Sequence, residues 1–396
     1  MPDKKEQKVW KALDSFQMEI PSWGFANTGT RFGKFLQPGA ATCVEDKFAD
    51  AGEIHKLTGA CPTVALHVLW DLPDSIESVG LIEKCAAQYG IRPGSINPNV
   101  FQDQEYKFGS LGNPDQAIRR RALAHLLDSV AIAQRLGSRD LSLWFADGSN
   151  YPGSANMRRR KEWFAQGLHD MHDRLNPGQR LLVEYKPFEP YFYHTDIADW
   201  GMSLLLARAA GPRAKVLVDT GHHYAAQNIE QIVAWLLSEN MLGGFHFNDR
   251  RYADDDLTIG SIDPYQVFRI FHEIALFAWE TGNTPDVAYM IDQSHNMKNK
   301  MEAMVQTVMT AQELYTKAAL VDHPQLQRAQ SAADIIAAEE YLKDAFATDV
   351  RPIIEDWRRS KGLAPNPLHA LRASGYMEKI SRDRAEKNAA AVSSYA

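Results

Sequence analysis

Eight short runs of β-branched and apolar residues recur along the first three quarters of the chain, separated by long amphipathic stretches. The runs are Met18–Trp23, Thr63–Val68, Ile91–Asn97, Asp140–Phe145, Arg180–Lys186, Lys215–Asp219, Gly243–Asn248 and Asp286–Asp292. Helical patterns lie between them at Ile76–Tyr89, Pro114–Leu136, Met157–Leu175, Ile229–Asn240 and Tyr265–Trp279. Short apolar runs bounded by turn residues read as buried strands, and apolar residues three and four apart read as helix faces. Asn113 before Pro114 and Asp263 before Pro264 mark helix starts, while Gly90 and Gly137 mark helix stops. Eight strands alternating with helices predict an α/β fold, a (β/α)₈ TIM barrel in preference to a doubly wound sheet. No phosphate-cradling G-x-x-x-x-G-K and no strand-linked G-x-G-x-x-G occurs, which weakens a dinucleotide-binding alternative.

After Met297 the pattern turns helical throughout, at Met301–Lys317, Gln325–Ala345 and Val350–Lys361, with a Pro-rich break at Leu363–Leu368. An opening helix covers the Asp3–Met18 region, a Gly- and aromatic-rich loop spans Trp23–Gly39, and Ala385–Ala396 reads as frayed. The expected division is a barrel with its N-terminal helix over 1–315 and a helical extension over 316–396. Such an extension cannot bury all its apolar faces alone, so subunit contacts are expected of it. The formal charge of −7 argues against a nucleic-acid partner, whose footprint is a basic excess. No stretch approaches 18 consecutive apolar residues, so no membrane span is expected. Cys43, Cys61 and Cys85 are odd in number and widely spaced, and no apolar h-region follows the start. A reducing cytoplasm is the expected location.

Barrel enzymes build their sites at the carboxyl ends of the strands. Those ends here carry Trp23, His67, Asn97, Trp144, Glu184 with Lys186, Asp219 with His222, His246 with Asn248, and Asp292 with His295. A barrel core calls for Val, Ile and Leu, so polar groups at every exit need another purpose. Taken singly, each has an ordinary alternative: Glu184 and Lys186 as a structural ion pair, Asp219 as a helix cap, Asp254–Asp256 as a solvated loop. Together, Glu184, Asp219, His246 and Asp292 stand on four successive strands of a closed barrel, where they can converge. His222, Asp254 and Asp256 form a second cluster beside them. Oxygen-rich sites with one imidazole suit Mn²⁺, Mg²⁺ or Co²⁺ better than thiolate-bound zinc. Seven ligands exceed the need of one octahedral ion that retains waters, so two divalent ions per subunit are expected, Mn²⁺ first. Asp249 would add a further charge if it pointed into the site.

The segment VEYKPFEP (183–190) is similar to the E-x-K-P-x-x-P motif of xylose isomerases, which are metal-dependent barrels. The segments PSWGFANTGTRFGKF, SINPNVFQDQEYKFGSLGNP, LSLWFADGSNYPG, VDTGHH, GGFHFNDRRYADDDL, YMIDQSHN and PLHALRASGY resemble the bacterial L-rhamnose isomerases of that superfamily more closely. The resemblance runs from about residue 19 to 380. It implies isomerisation of L-rhamnose to L-rhamnulose, with activity on other aldohexoses, by a metal-assisted hydride shift between C2 and C1. It also implies Glu184, Asp219, His246 and Asp292 as structural-metal ligands and His222, Asp254 and Asp256 as catalytic-metal ligands, with Asp219 a candidate bridge. Lys186 matches the lysine that contacts the sugar's O1, and His67 a sugar-binding histidine that assists ring opening. Asp292 completes the catalytic and sugar-contacting set. Trp23, Phe25, Phe32, Phe35, Trp144 and Phe145 would wall the 6-deoxy methyl group, or else pack the barrel mouth. A homotetramer is the family habit, and the Phe32–Phe35 loop could close a neighbouring subunit's site.

The main alternative is a one-metal ketose 3-epimerase of the same barrel, which uses paired glutamates as acid and base. Here strand eight ends in the shorter Asp292, and Asp254 and Asp256 supply further ligands. A barrel phosphodiesterase or nuclease would be expected to show a basic groove, and a non-catalytic sugar-binding module has no need of seven convergent ligands.

Overall fold

A computed structural model describes the whole chain apart from residues 1–2, 31–32, 150, 190–192, 253, 295–296 and 391–396. Eight parallel strands close a barrel: β1 (Glu19–Pro21), β2 (Thr63–His67), β3 (Arg92–Asn97), β4 (Asp140–Leu143), β5 (Arg180–Glu184), β6 (Ala214–Asp219), β7 (Leu242–Phe247) and β8 (Ala288–Ile291). Each pairs with its sequence neighbours, and β1 closes the ring by pairing with both β2 and β8, Glu19 opposite Thr63 and Met290. All eight expected strands are present, each within a few residues of its sequence run.

The outer ring consists of α2 (Val44–Thr58), α3 (Val79–Tyr89), α4 (Gln116–Leu136), α5 (Met157–His172), α6 (Trp200–Ala210), α7 (Ile229–Ser238), α8 (Pro264–Thr281) and α9 (Lys300–Ala319), preceded by α1 (Lys4–Ser15). Asp263 caps α8 by accepting from the Gln266 amide, ahead of Pro264 in its first turn. Gly90 and Gly137 end α3 and α4 in the left-handed conformation. The start of α4 differs from expectation. Asp115 is the cap, accepting from Ala117, while the Asn113 carboxamide, two residues earlier, accepts from the Asp115 amide. Two short hairpins, Gly29–Thr30 with Gly33–Lys34 and Phe188–Glu189 with Tyr193–His194, stand apart from the barrel.

The helix α9 passes position 315 unbroken, and α10 (His323–Ser331), α11 (Ile335–Ala347), α12 (Arg351–Ser360), α13 (Pro367–Ala373) and α14 (Tyr376–Ala389) follow it. The single helix expected over Gln325–Ala345 is two, broken at Ala333, whose φ of 55° is left-handed. The fraying expected from Ala385 does not occur there, because α14 continues to Ala389. Val9 and Leu13 of α1 pack on Val350, Ile354 and Trp357, so the extension embraces the opening helix. No helix among the described residues is long and apolar enough to cross a membrane.

Inside the barrel, Leu182, Leu217 and Met290 form one buried apolar layer. Side chains two apart on a strand share a face. The next layer toward the carboxyl ends is therefore Glu184, Asp219 and Asp292, with His246 above Gly244. Gly244 makes room for this stacking: a Cβ there would lie 3.1 Å from the Ala288 carbonyl and 3.3 Å from Leu182.

Candidate active site

The layer above that apolar floor is ionisable. Glu184, Asp219, His246 and Asp292 each offer one atom within 4.8 Å of all the others, and they are the one such group among the described residues. His246 Nδ1 stands 3.2 Å from Glu184 Oε2, 3.6 Å from Asp292 Oδ2 and 4.0 Å from Asp219 Oδ2. An octahedral ion with bonds of about 2.1 Å spaces its ligand atoms about 3 Å apart when adjacent and about 4.2 Å when opposite. The observed separations suit that geometry. Nε2 of His246 and Oδ2 of Asp219 are buried without a hydrogen-bond partner, and Nδ1 of His246 faces only the Glu184 carboxylate at 3.2 Å, which is costly for polar atoms unless a ligand receives them.

The electrostatics point the same way. Burial opposes the Glu184 charge, but the imidazoles of His246 and His222 outweigh it and bring the carboxyl down to about 2. Burial raises Asp219 to about 7, with the Glu184 and Asp292 carboxylates adding to it against the pull of His222. His246 is desolvated, yet the carboxylates around it, Glu184 foremost, lift it to about 9. The protein's own groups thus do not fully balance three buried carboxylates, and a divalent cation would. The donor set fits such an ion.

The second cluster is arranged differently. His222 Nδ1 lies 3.0 Å from the Tyr185 carbonyl, and its Nε2 lies 2.8 Å from Asp254 Oδ1. Lys186 donates from Nζ to Asp254 Oδ2 at 2.5 Å. Burial works against the Asp254 charge, but Lys186 and His222 hold that carboxyl well below the usual range. Burial and the neighbouring Asp254 and Asp292 push Asp256 up; its Oδ2 accepts from Ser294 Oγ at 2.7 Å, and its Oδ1 is buried without a partner. Asp254 and Asp256 both adopt positive φ, 52° and 47°, which aspartate tolerates better than most residues. Asp249 does not point into the site: it accepts from the amides of Arg250, Ile262 and Asp263 and ties down the loop instead.

An aromatic wall faces these clusters. The Trp23 indole donates to Asp292 Oδ1 at 2.8 Å, and its ring meets His67 edge-on. The His67 ring stacks on Trp70 at 3.7 Å, Trp70 meets Phe101, and Phe101 meets Trp144, over which Lys186 Nζ sits 5.1 Å from the ring centroid. Burial brings His67 down to about 4, so its ring is neutral, and with Nδ1 donating to the Val68 carbonyl its Nε2 is an acceptor. Asp71, fully buried, accepts from the His67 amide, Ser22 Oγ and Lys47 Nζ and thereby fixes the exit of β2.

The expected residues Trp23, His67, Trp144, Lys186 and the seven carboxylates and histidines therefore lie at one end of the barrel. Phe25 and Phe145 instead belong to the buried core, Phe145 edge-on to Phe164, and Phe35 is 57% exposed. Phe32 and His295 lie outside the described residues. Sequence reasoning passed over Trp70, Phe101 and Asp71. They lie in loops, and their direction depends on turns such as Leu69, at φ 76°.

Residues 69–306 match the family model described as a xylose isomerase-like TIM barrel. The chain belongs to that family. It is 40% identical to a probable sugar isomerase of Rhizobium meliloti (strain 1021), over 93% of this chain and 86% of that protein. A probable sugar isomerase of Mesorhizobium japonicum is 39% identical over 94% and 87%. Among solved structures, a D-allulose 3-epimerase from Methylomonas sp. superposes with a TM-score of 0.53 at 14% identity, covering 74% of this chain and 95% of that one. An L-ribulose 3-epimerase gives 0.53 at 14%, covering 81% and 98%. At such identities the likeness is one of fold.

Proposed function

We propose that the chain is a metal-dependent aldose–ketose isomerase of the L-rhamnose type, converting L-rhamnose to L-rhamnulose with activity on other aldohexoses. The observation that carries this reading is the second cluster, His222, Asp254 and Asp256, in which Asp256 Oδ1 is buried without a partner beside the four-residue group. The probable sugar isomerases that share about two-fifths of the sequence support it.

In this reading Glu184, Asp219, His246 and Asp292 would hold one divalent ion and His222, Asp254 and Asp256 a second, Mn²⁺ first with Mg²⁺ or Co²⁺ as alternatives. Bound there, such ions would supply Lewis-acid polarisation of the sugar oxygens. Lys186, an ammonium, stabilises negative charge developing on O1. His67 accepts a sugar hydroxyl proton at Nε2, and its neutral ring is suited to proton transfer during ring opening. Trp23, Trp70, Phe101 and Trp144 exclude water and receive the apolar end of a 6-deoxy sugar. Glu184 is engaged by two histidines and Asp292 by Trp23, so neither is placed as a free base for an enediol route. The C2 hydrogen then passes directly to C1 while the O2 proton moves to O1. The extension over 316–396, with Ile335 and Ile336 exposed at the start of α11, supports subunit contacts in a homotetramer.

A one-metal ketose 3-epimerase is the second reading. It is favoured by the completeness of the four-residue group for one ion and by the internal partners that His222 and Asp254 already have. Metal-stripped protein reloaded with Mn²⁺, Mg²⁺ or Co²⁺ and given L-rhamnose decides between them. Formation of L-rhamnulose is expected. Interconversion of two ketoses with no conversion of any aldose would overturn the isomerase reading.

A further inference from the structure

The Gly- and aromatic-rich loop after β1 is tied at both ends to different parts of the molecule. On one side it grips the end of β8: the Trp23 indole donates to Asp292, and Thr28 Oγ1 donates to the Ser294 carbonyl at 2.7 Å. On the other it meets α14, more than 340 residues away in sequence. Asn388, buried near the end of that helix, accepts from Asn27 Nδ2 at 2.8 Å. The same carboxamide donates to the carbonyls of Pro38 and Ala40 at 2.9 and 3.0 Å. Asn27 in turn accepts from the Gln37 amide at 2.8 Å, so one side chain of α14 holds the outgoing and returning stems of the loop together.

One turn earlier, Arg384 adds to the hold. It donates to the Gly39 carbonyl at 2.9 Å while its guanidinium is fixed by Asp50 of α2 at 2.8 and 3.0 Å. The loop lies close on the helix here, since a Cβ at Gly39 would stand 3.0 Å from Ser381 Oγ. A carboxamide that uses its acceptor and both donors on loop groups is not needed to hold α14 on the barrel, because the Asp50–Arg384 pair and the Tyr376 hydroxyl on Asp50 do that.

We propose that Asn388 is a positioning residue for sugar binding: by holding Asn27, Pro38 and Ala40, α14 fixes the stems of the segment that carries Trp23 and Thr28 to the end of β8. The idea rests on the isomerase reading for its kinetic consequence, but the clamp itself does not. Trp23 contributes wall and not a reacting group, so a shift of the segment that carries it alters substrate binding more than turnover.

Kinetics on L-rhamnose and limited tryptic cleavage after the exposed Lys34, mapped by mass spectrometry, are measured on Asn388→Ala, Asn27→Ala and, as a control, Arg372→Ala. The control removes an ion pair between α13 and Glu302 of α9 without touching the loop. Losing the clamp is expected to raise KM about tenfold while kcat changes less than about twofold. It should also speed cleavage after Lys34 about tenfold in both clamp variants and leave the control like the parent protein. Asn27→Ala approaches the same contact from the loop side should Asn388→Ala fail to fold. Unchanged cleavage and KM in the clamp variants, or equal acceleration in the control, would overturn the proposal. So would faster cleavage with no change in KM, which would leave only a structural tie. If no aldose is converted by the parent protein, the isomerase reading fails and the cleavage comparison still decides whether the clamp exists.

Discussion

Glu184, Asp219, His246 and Asp292 are carried on strand ends, whereas His222, Asp254 and Asp256 hang from the loops after β6 and β7. The strand set rises from a packed apolar layer of Leu182, Leu217 and Met290 and leaves buried atoms without partners. Its geometry is held before any ligand arrives. The loop set has already satisfied much of itself: Asp254 holds both Lys186 and His222, and Asp256 holds Ser294. A cation entering the loop set has to compete with Lys186 for Asp254, while one entering the strand set meets Asp219 Oδ2 and His246 Nε2, which have no hydrogen-bond partner to give up. Preorganisation therefore predicts unequal sites, the strand set tight and the loop set weaker and more easily reshaped.

The largest expected effect comes from the strand set. Asp219→Asn removes a buried carboxylate proposed as a ligand and close to both clusters, and activity is expected to fall by about four orders of magnitude. Thermal melts check the cause: Mn²⁺ should raise the Tm of the parent protein and leave the variant unmoved. Asp254→Asn breaks only the loop set. A loss of about a hundred- to a thousandfold in kcat is expected with the metal-induced Tm rise largely kept, measured by steady-state assay beside the same melts. If Asp254→Asn abolishes that rise, the two sets do not act separately.

Acidity offers a gentler probe. Asp219, raised to about 7, and His246, raised to about 9, must release protons before the strand set can bind a cation. Protonated ligands do not coordinate, so affinity falls as pH falls, about ten- to a hundredfold per unit below pH 7. Mn²⁺ titrations at pH 6, 7 and 8 would show this; a pH-independent affinity would contradict the assigned ligands. The smallest effect lies outside both sets. Trp144→Ala removes an aromatic wall under Lys186, and KM is expected to rise about tenfold with metal binding unchanged.

What could be read from the sequence follows the same division. Strand ends were legible because a buried parallel strand is a short apolar run and its alternation tells which residues share a face. Glu184 follows Leu182 by two and Asp219 follows Leu217 by two, so their convergence follows from the alternation of side chains along each strand. The caps Asp263, Gly90 and Gly137 were legible because their chemistry is local. The helices α2 and α6 were not singled out. In α2 the buried face includes Lys47 and Asp50, and in α6 Leu205 is exposed, so neither shows a clean apolar stripe. Trp70, Phe101 and Asp71 were missed because a loop side chain's direction depends on turns that no periodicity announces. The clamp of Asn388 on Asn27 joins groups 361 residues apart and has no local signature at all.

The most direct test of unequal strand and loop sites is a calorimetric titration of metal-stripped protein with Mn²⁺, run on the parent chain and on Asp254→Asn. Two binding events of different affinity are predicted for the parent, with the weaker one missing from the variant. A single event in the parent, unchanged in the variant, would contradict the account.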